Sequence, residues 1–472
     1  MEYRMSSAIT NNFMGMPVEE VVPDSAMVKG VSRSSLLTGR RRIRIQPQTG
    51  TSASANSIIQ FVLADSSSLL DLNSAVVTAT VTTTGTGDTA LDDGPAWVRR
   101  ATIALNGTNI DDTDLANRFA NANVYAGADR AWYNGAGSFA GFWGQNPALV
   151  SGTTYPSTQY AVGDVSGALV AASVRYKAGA QLAWPLALVS KFFATKQYLP
   201  LSQAGELVVQ LLCASNAEAC FQRSGATDGA YTLTNIFMEV DLVQPHYLYM
   251  EMLNRVTQLE GEQGLVVPFN AVISAQGQSV SASGQANIVT SLATNNLRKV
   301  IVTMSPTDYL ASINYPSVSA FGNHSLTGVQ FRVGSLYFPS QESINNGAIF
   351  WNTESAFNGG EPIHHRNGII DLNTFTKTTG PAPVGFNVTG TTQKQYWADS
   401  CIVAYGFDNY KGGEPLDADG ISVLGQAGSQ LVTLLRIAPN LTYFTNGVTP
   451  NIHLERTRYL VLKNGALRVE GV

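Results

Sequence analysis

The sequence predicts an all-β protein built from two successive β-domains, and three observations carry that expectation. Only 13% of side chains are charged although 44% are hydrophobic, about half the charged quarter usual in soluble proteins. The remaining polarity is therefore mostly uncharged Ser, Thr and Asn among 43 Gly and 19 Pro, a composition that suits strands joined by turns. Apolar residues recur with period two or in short runs, bounded by Gly, Asp and Pro clusters, as half-buried strands require. Finally, the pattern is interrupted near the middle by one amphipathic helical segment and then starts again, so the 472 residues divide into two halves of domain size.

Residues 1–40 carry little apolar periodicity and read as an extended arm. Up to its border the arm holds seven cationic side chains (Arg4, Lys29, Arg33, Arg40, Arg41, Arg42 and Arg44) against Glu2, Glu19, Glu20 and Asp24, a net charge of +3. From residue 41 the strand pattern begins with RIRIQ, then SIIQFVLA (57–64), AVVTATVTTT (75–84) and WVRRATIALNG (97–107). A short helix is expected after Asp111, Asp112 and Asp114, whose carboxylates suit orphan N–H groups, with Leu115, Phe119 and Ala122 at helical spacing. A Gly-, Ala- and Tyr-rich excursion from about 126 to 172 follows, longer than a compact connection usually is. Strands resume in QLAWPLAL, QYLPLS, ELVVQLLCAS (206–215) and YTLTNIFMEVDLV (231–243).

Residues 245–261 form the linker helix. Pro245 suits a first helical position because its missing N–H would be unpaired anyway, and Tyr249, Leu253, Val256 and Leu259 share a face. Residues 262–472 return to strands, from GLVVPFNAVIS to NIHLERTRYLVL and ALRVEGV. Order and spacing repeat between the halves, as expected of duplicated units. The strand, loop and helix of ATIALNGTNIDDTDLANRFA recur in VGSLYFPSQESINNGAIFWNTESAF. ELVVQLLCAS from Glu206 matches QLVTLLRIAP from Gln430, and NIFMEVDLV from Asn235 matches NIHLERTRYLV from Asn451, in the same order and at nearly equal offsets.

The chain carries no recognisable catalytic set. It has no Gly-Lys dipeptide for a P-loop, no HExxH and no GxSxG elbow. A GxGxxA run at Gly135–Ala140 lies in the loop-rich excursion, without the strand and helix that would aim it at a pyrophosphate. No cofactor is expected. The loop GGEPLDADG (412–420) places Glu414, Asp417 and Asp419 as weak candidate ligands for a hard cation such as Ca²⁺, although Asp and Gly serve turn geometry equally well there. A net charge of −5 gives no broad cationic surface for a phosphate backbone. The one basic cluster, GRRRIRIQ, alternates Arg42 and Arg44 with Ile43 and Ile45. It reads as a strand with one wet face, with phosphate contact or salt bridging to a neighbouring subunit as alternatives. Cys213, Cys220 and Cys401 are too few for a disulfide framework. The N-terminus lacks the apolar run of a signal peptide, and the longest apolar stretches fall far short of a membrane span.

An arm leading into RRRIRIQPQ, the stretch LAWPLALVSKFFATKQYLPLSQAGELVVQLLCAS running on to IFMEVDLVQPHYLYM, and its counterpart GFDNYKGGEPLDADGISVLGQAGSQLVTLLRIAP together resemble the double jelly-roll major capsid proteins of tailless icosahedral double-stranded DNA viruses, the group of virophages, polinton-like viruses and nucleocytoplasmic large DNA viruses. The last loop departs from the P-x-G-x-x-N-x-S-R-like run of many large-virus relatives. The resemblance implies two consecutive eight-stranded antiparallel jelly rolls, residues 41–244 and 262–472, with short helices in loops and a helical linker. It further implies homotrimeric, pseudo-hexagonal capsomers in a virion shell, contacting neighbouring capsomers and penton and minor capsid proteins. Arg33, Arg40, Arg41, Arg42 and Arg44 would then belong to an assembly arm reaching those neighbours, an internal membrane or the genome. Tyr125, Trp132, Tyr133, Phe139 and Trp143 in the first excursion, and Phe350, Trp351 and Phe357 in the second, become candidate trimer or tower contacts, with ordinary packing as the other reading. The alternative class is a secreted carbohydrate-binding β-sandwich protein or adhesin, which calls for a secretory signal.

Overall fold

A computed structural model describes residues 37–86, 88–142, 175–222, 227–258, 264–279, 284–290, 296–307, 310, 312–313, 317–319, 321, 326–357, 369, 375, 401–407, 431–437, 448–463 and 466–470. Their strands fall into two sandwiches. In the first, β1 (Leu37–Ile45), β12 (Ala230–Pro245), β4 (Leu69–Thr84) and β8 (Ala180–Pro185) lie side by side in that order, with β2 (Ala53–Ser54) on β12 and β9 (Tyr198–Pro200) on β4. The facing sheet runs β3 (Ile58–Leu63), β10 (Leu207–Cys213), β6 (Val98–Leu105), β7 (Thr108–Asp114), and a small ladder pairs β11 (Cys220–Gln222) with β5 (Thr89–Leu91).

The second sandwich repeats this. One sheet orders β13 (Leu265–Gln276), β20 (Val448–Lys463), β15 (Leu297–Pro306) and β18 (Ile402–Gly406), with β21 (Ala466–Glu470) on β20. The other orders β14 (Gly284–Thr290), β19 (Leu431–Ile437), β16 (Leu326–Val333) and β17 (Leu336–Ser343). Numbering the eight principal strands of either unit along the chain gives 1-8-3-6 facing 2-7-4-5, the antiparallel Greek-key order of a jelly roll. The three sequence matches fall on equivalent strands: β6–β7 with β16–β17, β10 with β19, and β12 with β20.

Alternation explains the first core. β3 buries Ile59, Phe61 and Leu63, β10 buries Leu207, Val209 and Leu211, and β12 buries Ile236, Met238 and Val240, while the intervening residues face outward. These strands need no other instruction than a period of two. β1 begins at Leu37, so Arg40 already belongs to the first sheet instead of preceding it.

Two local expectations are corrected. Asp111, Asp112 and Asp114 lie on β7, because Asp112 pairs with Arg100 and Asp111 accepts the Ser190 hydroxyl. Helix α1 (Ala116–Gly127) starts only after Leu115, which turns the chain with a left-handed backbone (φ 51°), and no side chain caps it. Pro245 is the last residue of β12, paired with Leu37. The linker helix α2 (Tyr247–Gln258) begins beyond it, where the His246 imidazole accepts the Leu248 N–H (3.3 Å). A third helix, α3 (Asn346–Phe357), follows β17 as α1 follows β7.

Candidate functional site

The densest chemistry in the described residues lies where the two sandwiches meet. Helix α1 is enclosed between them, and ten of its twelve residues are buried. Arg118, 2% exposed, donates to Asn451 Oδ1 (3.1 Å) and Ser317 Oγ (3.5 Å) of the second unit and lies 3.8 Å from Glu218 of its own. Burial lowers the guanidinium pKa to about 10, and Glu218 opposes the shift. One turn on, Asn121 Nδ2 donates to the carbonyls of Asp93 and Val318, both at 3.1 Å.

Two adjacent carboxylates face this helix. Asp92 accepts the Val318 N–H (2.9 Å) and the Ser319 hydroxyl, both from the second sandwich. Burial pushes its pKa up to about 7 against those hydrogen bonds. Asp93 accepts the hydroxyls of Tyr125 (2.6 Å) and Tyr133. Further along, the Phe119 ring lies 5.7 Å from His453, whose Nδ1 meets Ser274 Oγ at 2.7 Å. Burial lowers that imidazole to about 3, helped by the Arg118 charge.

A second cluster sits beside it. Glu455 pairs with Lys299 (3.1 Å), while Lys191 donates to Asn123 (3.2 Å) and lies 5.7 Å over the Phe119 ring. Burial alone would raise the Glu455 carboxyl, but Lys299, Lys191 and Arg298 outweigh it and hold it at about 2. At the β7 edge, burial pushes Asp111 up to about 6, against Ser190 and the nearby Arg458 and Arg456. Arg458 itself donates to the Ile110 carbonyl at 2.5 Å. Phe192 packs edge-on against Phe269 (5.2 Å), completing the contact with apolar area. Arg118 Nε, Asn121 Oδ1 and His453 Nε2 are buried without a hydrogen-bond partner among the described residues, yet the pairs that do form favour one relative placement of the two bodies, because a slip leaves desolvated charges unpaired.

The residues singled out by sequence are distributed differently. Tyr125 and Tyr133 are buried with their hydroxyls on Asp93, so they hold this seam together and are corrected as contacts for another subunit. Trp132 is half-buried against Phe142 (5.9 Å), Phe350 against Phe375 (5.4 Å), and Phe357 under the Lys299 ammonium (4.2 Å). Phe139 and Trp351 stand out, 66% and 53% exposed. Trp143, Arg33, Glu414, Asp417 and Asp419 lie outside the described residues.

The basic cluster is a ladder on β1. Arg40 pairs with Asp241 (2.6 Å) and Asp71 (2.7 Å), Arg41 with Asp65 (3.0 Å), and Arg42 and Arg44 with the two oxygens of Glu239 (3.0 and 2.8 Å). Arg44 also lies 5.0 Å over the Phe237 ring. These arginines are thus partnered within their own sandwich, though 51–63% of each side chain stays exposed. Among the described residues no group of three or more His, Cys, Asp or Glu could hold a metal ion, and no helix is long and apolar enough to cross a membrane.

No family model matches the chain, and no curated protein matches it by sequence. Solved structures do match it over nearly full length. The PBCV-1 virus capsid superposes with a TM-score of 0.57 at 12% identity, covering 94% of this chain and 99% of that one. The Faustovirus major capsid protein gives 0.56 at 9% identity and 97% of both chains. The Sputnik virophage, from cryo-EM, gives 0.53 at 11% identity, 95% of this chain and 92% of that one. At these identities the likeness is one of fold, and the fold is the double jelly roll.

Proposed function

We propose that this chain is a structural major capsid protein, three copies of which form a pseudo-hexagonal capsomer of an icosahedral shell around a double-stranded DNA genome. The observation that carries the reading is the fusion of two jelly rolls of identical topology through a buried charged seam, with full-length likeness to viral capsid proteins. A shell needs a rigid block whose two halves keep one mutual orientation under load. Arg118, Asp92 and Glu455 supply that rigidity, and they sit too deep to meet a soluble substrate. The work of such a chain is assembly, in which symmetric contacts of modest individual strength add up.

In this reading the segment before β1 is the arm that reaches neighbouring capsomers, penton and minor proteins, or what lies beneath the shell, and the protein's place is the virion. Mass measurement in solution with negative-stain imaging tests it. A particle of three times the 50.4 kDa chain mass, with a pseudo-hexagonal outline, supports the capsomer. A monomer that binds glycan in a calcium-dependent way would move the protein to the carbohydrate-binding class.

A further inference from the structure

We propose that Lys191 and Asn123 join in an intramolecular isopeptide bond, formed with loss of ammonia and with the Glu455 carboxylate as proton carrier. The bond is a modification of the folded chain and stands independently of the capsid reading.

A lysine amine attacks a carboxamide at a useful rate only when it is held against the carbonyl, kept short of its proton and given a group that moves protons. The first condition is contact. Lys191 opens the short 3-10 turn Lys191–Ala194 and donates from Nζ to Asn123 Oδ1 (3.2 Å), so the amine already lies beside the carbonyl it would attack. Asn123 is fixed by Ala122 and Val124, buried on either side of it in α1, and Lys191 by Phe192 and Phe193, wholly buried directly after it. Phe119, one turn before Asn123, turns a buried ring to the same ammonium at 5.7 Å.

The second condition is the charge on the amine. Part of the Lys191 residue reaches solvent, but its ammonium lies inside. Burial first, then the Lys299 and Arg298 charges, hold it below the usual lysine range against the pull of Glu455. A desolvated lysine beside other cations is activated as a nucleophile.

The third is a proton carrier. Glu455 on β20 is 6% exposed and feels the charges of both Lys299 and Lys191. Its Oε2 lies 3.1 Å from Lys299 Nζ yet accepts no aligned hydrogen bond among the described residues, which leaves a lone pair for a proton in transit. Glu455 takes one proton from the Lys191 ammonium, and the freed amine adds to Asn123 Cγ. The Cγ–Nδ2 bond breaks as Glu455 passes that proton to Nδ2, and the departing ammonia carries off the second amine proton as ammonium. One C–N bond forms and one breaks, so neither an oxidant nor an outside reactant is required. The pairing with Lys299 makes the carboxylate a weak base, and the bond therefore forms slowly after folding.

Its timing follows from its members. Asn123 and Lys191 belong to the first sandwich, whereas Glu455 comes from the second. The bond forms only once the second sandwich has docked, and it then ties α1 to the turn after β8 as a covalent record of that docking.

Mass spectrometry of the purified full chain tests the proposal. The intact mass should fall short of the sequence mass by about 17 Da, one ammonia. Trypsin does not cut at an acylated lysine, so it should release Phe119–Arg130 joined to Ala178–Lys196. The joined peptide distinguishes this bond from a succinimide at an Asn-Gly pair, which loses the same mass. Lys191→Arg keeps the charge and should give no joined peptide. Freshly purified Glu455→Gln should be mostly unjoined, because loss of the proton carrier slows the step by about a hundredfold. Recovery of wild-type Phe119–Arg130 at its unmodified mass, with cleavage after Lys191, overturns the proposal whether or not either variant folds. A joined peptide as abundant in Glu455→Gln as in the wild type refutes the role given to the carboxylate.

Discussion

Arg118 and Asn451, 333 residues apart in the chain, meet at 3.1 Å through a guanidinium that is almost wholly withdrawn from water. The bond crosses from the helix of one jelly roll to the last principal strand of the other. It lies amid further crossings by Asn121, Asp92 and Phe119, so the two units stand or fall together.

Arg118→Ala should therefore destabilise the whole chain. Removing one member of a buried charged set costs about 3–5 kcal/mol because its partners stay desolvated, here the Asn451 amide oxygen and the Glu218 carboxylate. Arg118→Met, which keeps the packing volume, should lose less. Urea midpoints of the two variants check this, and a midpoint unchanged in Arg118→Ala would deny the seam its role.

The seam also sets a pH dependence whose sign follows from the shifts. Asp92, at about 7, and Asp111, at about 6, hold protons in the folded state that the unfolded chain releases near 3.8. Each thus subtracts stability as pH rises from about 4 to its own folded value, by about 1.4 kcal/mol per pH unit. His453, at about 3 against an ordinary 6.5, acts oppositely: its contribution is present above pH 6.5 and is lost as pH falls toward 3. Between pH 4.5 and 6 the two aspartates outnumber the histidine, so stability should decline gently as pH rises. Asp92→Asn should level that slope and His453→Gln should steepen it, as read from unfolding midpoints across the range. Below pH 4.5 the stability that the Glu455 pairing contributes also falls away progressively, and the carboxylate itself takes up a proton only at about 2.

Neighbouring residues on β12 should respond oppositely to the same substitution. Met238 is fully buried and Phe237 half-exposed. Met238→Asp places a charge in the first core without a partner and should abolish soluble expression. Phe237→Asp should fold, with a thermal transition close to wild type. Equal behaviour of the two variants would contradict the register of β12.

In the capsid reading proposed above, deleting residues 1–36 should leave a folded chain that still forms the proposed capsomer, because β1 and its arginine ladder remain. Shell formation should fail. Light scattering of the truncated capsomer and imaging of assembly reactions check both halves, and loss of the capsomer itself would refute the division of labour between arm and body.

Much of the fold was legible because strand periodicity is local. The apolar alternation in SIIQFVLA and NIFMEVDLV marks β3 and β12, and the repeated order at nearly equal offsets marks the second sandwich. The seam was not legible, and β20 shows why. His453 and Glu455 alternate with Leu454 as a solvent-facing edge would, and only a helix from the other sandwich, distant in the chain, turns that face into an interior. Asp92 and Asp93 likewise read as turn residues in DDGP, since nothing nearby announces that Ser319 and two tyrosines will reach them. Tyr125 and Trp351 carry the same aromatic signal in sequence. Which of them points inward depends on whether a second sandwich covers their helix, and sequence spacing holds no record of that.

The pairing of β1 with β12, first strand with last, also dictates an order of events during synthesis. The first jelly roll cannot close until Pro245 has been made, and from then until the end of β20 at Lys463 its helix α1 waits without its cover. At translation rates of about 5–20 residues per second, that wait is on the order of ten to forty seconds. A nascent chain therefore exposes Phe119 and Arg118 to solvent for far longer than side-chain packing takes, and the ribosome-bound first jelly roll is the species on which a chaperone, or a misplaced second copy, would act.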